Sequence, residues 1–278
     1  MKRAREASEG LEMEILHEDG REMAFLLKGV GPRLANAIRR AMISEVPTMA
    51  IDDVIIVENN SVMYDEVLAH RLGLIPLITD LDSYVPREDC GCGSDLGCPR
   101  CTATLTLEAE AKDGAVTVYS GDLKSDSGVR PVSERIPILK LAPGQRIRLE
   151  AYARLGRGKE HAKWQPTSAC GYKYLPKIKI DAKRCDACGL CAGICPKGVL
   201  RIDGKRLAVA DEMACTLCMD CVKVCPKSPP PISISWDETS FIFKVRSVGS
   251  LSLDRIFKES CNSIKGKAVE MRRALSTL

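Results

Sequence analysis

Gly31-Pro32-Arg33-Leu34-Ala35-Asn36-Ala37-Ile38-Arg39-Arg40-Ala41-Met42, continuing through Glu45-Val46-Pro47-Thr48-Met49-Ala50-Ile51-Asp52, is the stretch whose reading decides the fold. Gly31-Pro32 suits a helix start, because proline lacks only a donor that the first turn leaves unpaired. Leu34, Ile38, Ala41 and Met42 recur at spacings of three and four, which predicts one apolar stripe with Asn36, Arg39 and Arg40 off it. Pro47 ends the helix by pushing the residue before it towards extended geometry. Ile51 to Glu58 is a β-branched run and reads as a half-buried strand. Asp65 to Leu72 reads as a short helix presenting Val67, Leu68 and Leu72, closed by Gly73 and Pro76. A helix, a strand and a helix carry no chemistry by themselves.

The particular letters say more. Leu34 to Arg40, Glu45 to Asp52, and Ala69-His70-Arg71-Leu72-Gly73-Leu74-Ile75-Pro76-Leu77 form three linked blocks at compatible spacing. Together they resemble the α-motif of RNA polymerase assembly subunits. The family is that of the archaeal α-like assembly subunit of DNA-directed RNA polymerase, kin of the bacterial α N-terminal domain and of the third-largest eukaryotic subunit. The resemblance implies an α+β fold: an α-subunit-like dimerisation domain (1–48 and 231–278) interrupted by a mainly β insert domain (49–182) and a small ferredoxin-like iron–sulfur domain (183–230). It also implies a heterodimer with the small α-like subunit L, and contacts with the large catalytic and small assembly subunits of a cytoplasmic, archaeal-type polymerase. On the first helix Leu34, Ile38, Arg39, Arg40 and Met42 are the implied partner contacts, and on the last helix Phe257, Ile264 and Met271. The bland alternatives are a solvated face for the arginines and packing on the chain's own domain for the apolar residues.

Composition agrees with a globular chain. The 278 residues are 45% hydrophobic and 28% charged, ample for a core and unlike a disordered segment. Aromatics make up only 4%, which argues against base-stacking platforms. A net charge of +4, dispersed along the chain, does not predict independent DNA binding. No apolar run approaches the length that spans a bilayer. Met1-Lys2-Arg3-Ala4-Arg5-Glu6 has basic residues with no apolar segment behind them, which does not read as a signal peptide. The 14 cysteines therefore point to metal ligation in a reducing compartment rather than to a secreted disulfide scaffold.

Outward from the opening stretch, Glu12 to His17 and Glu22 to Lys28 flank Asp19-Gly20, a hairpin signal. Thr102 to Ala109 and Ala115 to Tyr119 flank Asp113-Gly114 and predict a second hairpin. Ile147 to Leu155 alternates again. Gly156 to Pro166 is a basic loop with one tryptophan that recurs in archaeal and eukaryotic family members. His161 within it has no nucleophile or second base in sequence, so partner contact is preferred to acid–base catalysis. Phe241 to Gly249 reads as a strand, and about Ser252 to Ser276 as a long helix carrying Leu253, Ile256, Phe257, Ile264, Ala268, Met271 and Leu275.

Cys90, Cys92, Cys98 and Cys101 place four thiols in a short glycine-rich loop. Four neighbouring thiolates suit tetrahedral Zn²⁺, which closes a floppy loop without redox chemistry. The C-x-C…C-x-x-C pattern is similar to the zinc loop of the eukaryotic counterpart. Free thiols or a transient disulfide are the alternative.

Cys185, Cys188, Cys191 and Cys195-Pro196 are followed at the same spacing by Cys215, Cys218, Cys221 and Cys225-Pro226. Each copy is the bacterial-ferredoxin run, in which the fourth cysteine ligates the other cluster. On that pattern Cys185, Cys188, Cys191 and Cys225 hold one 4Fe–4S cluster, and Cys215, Cys218, Cys221 and Cys195 the other. Zinc is the weaker alternative. Val199 to Asp203 and Arg206 to Val209 flank Gly204-Lys205 as a small hairpin, and Cys170 and Cys261 read as ordinary small residues. The clusters can serve as staples for an insert with little apolar content, as oxygen sensors, or as electron carriers, in that order of preference. The chain shows no acidic Mg²⁺-binding triad, so it is expected not to catalyse nucleotidyl transfer itself. A ferredoxin-type carrier with a docking domain is the rival reading, and such a carrier has no use for the α-motif.

Overall fold

The computed structural model describes residues 10–276, and the basic stretch Met1 to Glu6 read at the N-terminus lies outside them. In chain order the elements begin with β1 (Glu12–Glu18), β2 (Glu22–Lys28), α1 (Pro32–Ser44), β3 (Pro47–Asn59) and α2 (Asp65–Gly73). They continue with β4 (Thr102–Glu110), β5 (Val116–Tyr119), β6 (Pro137–Leu141), β7 (Arg146–Arg157) and β8 (Thr167–Ile180). The small cysteine-rich region follows as α3 (Leu190–Ile194), β9 (Leu200–Asp203), β10 (Arg206–Val209) and α4 (Asp220–Lys223). The chain closes with β11 (Ile232–Ser247) and α5 (Leu253–Ser276). This is a mixed α+β architecture, rich in sheet.

Two compact units result. The first comprises residues up to His17, Ala24–Asn36 and Gly171–Lys244; the second comprises Glu18–Met23, Ala37–Cys170 and residues from Val245 on.

The first unit is built on a sheet of order β1-β2-β11-β8. Its scarce aromatics are concentrated there: Phe25 stacks on Phe243 at 4.9 Å, and Tyr172 packs edge-on to Phe241 at 5.3 Å. Gly29 adopts φ +76°, and a Cβ there would meet the Gly10 carbonyl oxygen at 2.3 Å. Only glycine permits both. The far ends of β8 and β11 extend into the cysteine-rich region. Val199, Leu200, Ile232 and Ile234 form its buried core with Cys191 and Cys215, and Ile178 and Ile180 of β8 pack against it. The region has too few apolar residues of its own, so it uses those of the two long strands.

The second unit holds the sheet β3-β7-β4 and the pair β5-β6. Ala103, Leu105 and Leu107 of β4 lie opposite Ala153, Ala151 and Leu149 of β7, and all six are buried. Leu68 and Leu72 of α2 complete that core at 0% exposure. At Ile51/Asp53 the β3–β7 register shifts, leaving Asp52 as the extra residue of a bulge.

Three expectations are corrected. β5 does not form a hairpin with β4; it pairs with β6, Val118 lying opposite Leu139. Asp113-Gly114 marks where the chain turns, and burial decides which strand it then meets. On α1 the buried line is Ala35, Ile38, Ala41 and Met42, while Leu34 is 40% exposed. Val67 of α2 is likewise turned outward at 49%.

Candidate metal and iron–sulfur centres

The two C-x-x-C-x-x-C loops repeat in backbone as well as in sequence. Ala187 and Leu217 sit between the first and second cysteines of their copies with φ of 56° and 61°. Gly189 and Met219, just after the second cysteines, have φ of 83° and 67°. Left-handed residues cost a non-glycine roughly 1–2 kcal/mol each. They persist because alternating the backbone hand folds successive N–H groups into an anion-holding concavity, the arrangement common at iron–sulfur sites. Each loop then runs into a single short helix, α3 or α4, whose first turns carry Cys191 and Cys221.

Two cavities of similar size follow from this repeat. One is lined by Cys185, Cys188, Cys191 and Cys225 together with Leu190, Leu207 and Ile232. The other is lined by Cys215, Cys218, Cys221 and Cys195 together with Ile178, Leu200 and Ile234. In each, the fourth cysteine comes from the other copy, as the ferredoxin pattern expects. Burial and then the crowding of Cys185 and Cys188 push the Cys191 thiol up, and burial followed by Cys215, Cys218 and Cys195 does the same to Cys221. Thiolates gathered against apolar walls are a donor set that needs bound iron to stay ionised. The sites therefore fit an iron–sulfur group.

Residues outside the cysteine pattern hold the second loop in place. Lys173 of β8 donates from Nζ to the carbonyls of Met213 at 2.5 Å and Cys215 at 2.7 Å. Glu212 accepts the Ile178 backbone N–H at 2.5 Å. Burial, and next the charge of Lys244, lower the Lys173 ammonium below its usual range. Near the first loop, Lys227 donates to the Arg184 carbonyl at 2.6 Å, and Arg184 to that of Pro229 at 2.5 Å. Sequence reading missed these residues, since a lysine inside a basic strand carries no sign of its acceptor.

The loop cysteines of the second unit are arranged differently. The Sγ atoms of Cys90, Cys92, Cys98 and Cys101 all lie within 4.8 Å of one another. Cys90 to Cys98 is 3.6 Å, and Cys92 to Cys101 and Cys98 to Cys101 are each 3.9 Å. A tetrahedron with Zn–S of 2.3 Å has sulfur–sulfur edges of about 3.8 Å. The thiols thus have the spacing of a single-ion site. A hydrogen bond with the Cys98 thiol and then burial push Cys90 up to about 12. Burial pushes Cys101 up as well, but the Cys98 N–H and the Thr102 hydroxyl outweigh it and bring the thiol to about 7. Cys101 brought down beside Cys90 held up is an arrangement that a cation would complete. Arg87 braces the loop by donating to the Ser94 carbonyl at 3.1 Å.

The basic loop between β7 and β8 is locked onto β3. Asp52, freed by the bulge, accepts from Lys163 Nζ and Arg154 Nε, each at 2.5 Å. Burial pushes the Asp52 carboxyl up, but those two hydrogen bonds and charges hold it below the usual range. Both cations also lie 4.4 Å from the Trp164 ring centroid. His161 caps the short turn by accepting the Lys163 backbone N–H at 3.1 Å, a structural role rather than an acid–base one. Cys170 is pushed up to about 11 by burial and Cys261 upward for the same reason, so both stay protonated and inert.

Among the implied partner contacts, Ile38 and Met42 are 6% and 1% exposed, so the chain's own core already covers them. Arg39, Phe257 and Ile264 are half-buried and Arg40 is exposed. Met271 is 67% exposed and its neighbours Val269 and Leu275 are 38% and 60% exposed, whereas Leu253 and Ile256 at the other end of α5 are buried. Among the described residues no helix is long and apolar enough to cross a membrane.

Comparison with known proteins accords with this geometry. Residues 51–183 match the family described as RNA polymerase Rpb3/RpoA insert domain, and residues 184–229 match the 4Fe-4S dicluster domain. A Methanosarcina acetivorans protein named DNA-directed RNA polymerase subunit Rpo3 is 44% identical over 96% of this chain and 99% of its own length. The Archaeoglobus fulgidus protein of the same name is 42% identical over 96% and 98%. That of Pyrobaculum aerophilum is 43% identical over 87% of each.

Proposed function

The chain belongs to the Rpo3 family of DNA-directed RNA polymerase subunits, and on that footing we propose that it is the non-catalytic assembly platform of the enzyme. It pairs with the small α-like subunit and recruits the large catalytic subunits. The observation that carries this reading is α5, whose C-terminal half exposes Met271 and Leu275 on the same helical line that carries the buried Leu253 and Ile256 in its N-terminal half. A helix keeps such a stripe in water only when a partner covers it.

The two cavities would hold two 4Fe–4S clusters, one on Cys185, Cys188, Cys191 and Cys225 and the other on Cys215, Cys218, Cys221 and Cys195. Their work is first structural, joining a region with a small core to β8 and β11, and secondarily redox sensing. The Cys90, Cys92, Cys98 and Cys101 loop would hold one Zn²⁺ as a structural closure.

The test is anaerobic titration of the intact chain with the small α-like subunit, beside a Cys188→Ser/Cys218→Ser variant. Tight binding by the intact chain is expected. No association under any condition would sink the platform reading. Weakened binding by the variant would tie assembly to the clusters, and unchanged binding would leave them a later role. The rival, a ferredoxin-type electron carrier, predicts reversible reduction by a soluble oxidoreductase and indifference to polymerase subunits.

A further inference from the structure

We propose that the Cys90–Cys101 loop is a redox switch that releases its metal by closing two disulfides, Cys90 with Cys98 and Cys92 with Cys101. The inference rests on the zinc reading above and adds a regulation to that site.

Three observations carry it. First, the nearest sulfur pair is Cys90 and Cys98 at 3.6 Å, and the two thiols left over, Cys92 and Cys101, are 3.9 Å apart. Closing the equally near Cys98–Cys101 pair would leave Cys90 and Cys92, only two positions apart, to bond across a cramped ring. Second, access is graded. Cys92 is exposed, Cys90 and Cys98 are half-buried, and Cys101 is buried, so attack begins at one edge while the last thiol is shielded. Third, the segment is irregular. It holds no helix or strand between Cys90 and Cys101, and Gly91 and Gly93 have open space around the position of a Cβ. Drawing each pair in to a bond length of about 2.05 Å needs a shift of under about 2 Å.

The oxidant is a hydroperoxide, of which hydrogen peroxide is the simplest. A thiolate attacks one peroxide oxygen, the O–O bond breaks, and hydroxide leaves and is protonated to water. The paired thiolate then attacks the resulting sulfenic sulfur and displaces a second hydroxide, also protonated. Four thiolates, two peroxides and four protons give two disulfides and four waters, and zinc, stripped of its ligands, departs as Zn²⁺. A dithiol reductant reverses the bonds. The iron–sulfur region contributes nothing to the step.

The experiment uses the full chain, purified anaerobically and analysed for zinc. It is titrated with hydrogen peroxide while a chromogenic chelator reads free Zn²⁺, visible absorbance follows the clusters, and peptide mapping identifies crosslinks. About one Zn²⁺ released for every two peroxides consumed in the loop, with crosslinks 90–98 and 92–101 and recovery on adding dithiol and Zn²⁺, is the expected result. A Cys92→Ser chain should still form 90–98 and leave Cys101 reduced. Zinc retained through complete oxidation of the clusters, or a dominant 98–101 crosslink, would overturn the proposal. A chain that binds no zinc but forms the two crosslinks would overturn the zinc assignment and the metal release, and leave the pairing standing.

Discussion

Lys173 Nζ lies 2.7 Å from the carbonyl oxygen of Cys215, so a lysine of the four-stranded sheet fixes the first cysteine of the second cluster loop. Burial lowers its pKa, yet the lysine still donates to two carbonyls, with Asp211 a weaker favourable charge nearby. Lys173→Met should remove the donor from both carbonyls, one exposed and one part-buried, at about 0.5–1.5 kcal/mol for each hydrogen bond lost. Iron loss on exposure to a chelator should begin in the second cavity, seen as a fast phase of about half the visible absorbance. A single slow phase equal to that of the parent would count against the link.

The crossed ligands give a sharper test. Cys185→Ser and Cys225→Ser belong to one cavity, so combining them should cost no more iron than either alone, about four atoms per chain. Cys185→Ser with Cys195→Ser removes one ligand from each cavity and should leave the chain almost free of iron. Iron per chain after anaerobic reconstitution separates the two pairs, and the reverse order would mean that each copy keeps its own fourth cysteine.

Gly156 faces the Trp164 ring so closely that a Cβ would lie 2.4 Å from it. Gly156→Ala should destabilise the second unit by about 1–3 kcal/mol through overpacking. The midpoint of urea unfolding followed by tryptophan fluorescence would report it. Gly91→Ala, where a Cβ meets nothing within 4 Å, is the matched control and should shift nothing measurable.

On α5 the two ends should answer differently. Met271→Glu and Leu275→Glu alter exposed residues and should leave the chain's own melting midpoint in place while weakening capture of the small α-like subunit at least tenfold. Ile256→Ala, at 0% exposure, should instead cost about 2–5 kcal/mol of stability. If the glutamate variants bind as tightly as the parent, the exposed stripe is not the pairing surface.

Removing metal from the Cys90–Cys101 loop with a strong chelator should open that loop to protease and leave the rest of the insert intact. Cys101 is buried where the loop enters β4, but none of the loop cysteines belongs to the buried core of β3, β4, β7 and α2. Cleavage confined to the loop, read by mass spectrometry, is expected; collapse of the whole unit would show that the metal carries more of the fold than its own closure.

The sequence by itself determined the chemistry that spacing can encode. Three cysteines on a tight loop with a fourth trailing, repeated thirty positions later, point to metal ligation because so short a stretch leaves the first three thiols little freedom to part. The turn at Asp19 and the one at Gly204 were equally local, with Asp19 accepting from Glu22 and Asp203 lying opposite Arg206. What only the tertiary structure decided was choice among partners. The sequence marks β5 as a strand without saying that it meets β6, and β8, which the sequence reading did not single out, joins β11. Periodicity placed Leu34 and Val67 on apolar stripes, and the packing of neighbouring elements turned both outward. Lys173, Asp52 and Glu212 act through acceptors and donors distant in sequence, visible once the chain has brought them together. A motif is legible when its geometry is closed within one loop; a sheet order or a buried lysine is not, because its free energy comes from groups the local sequence does not contain.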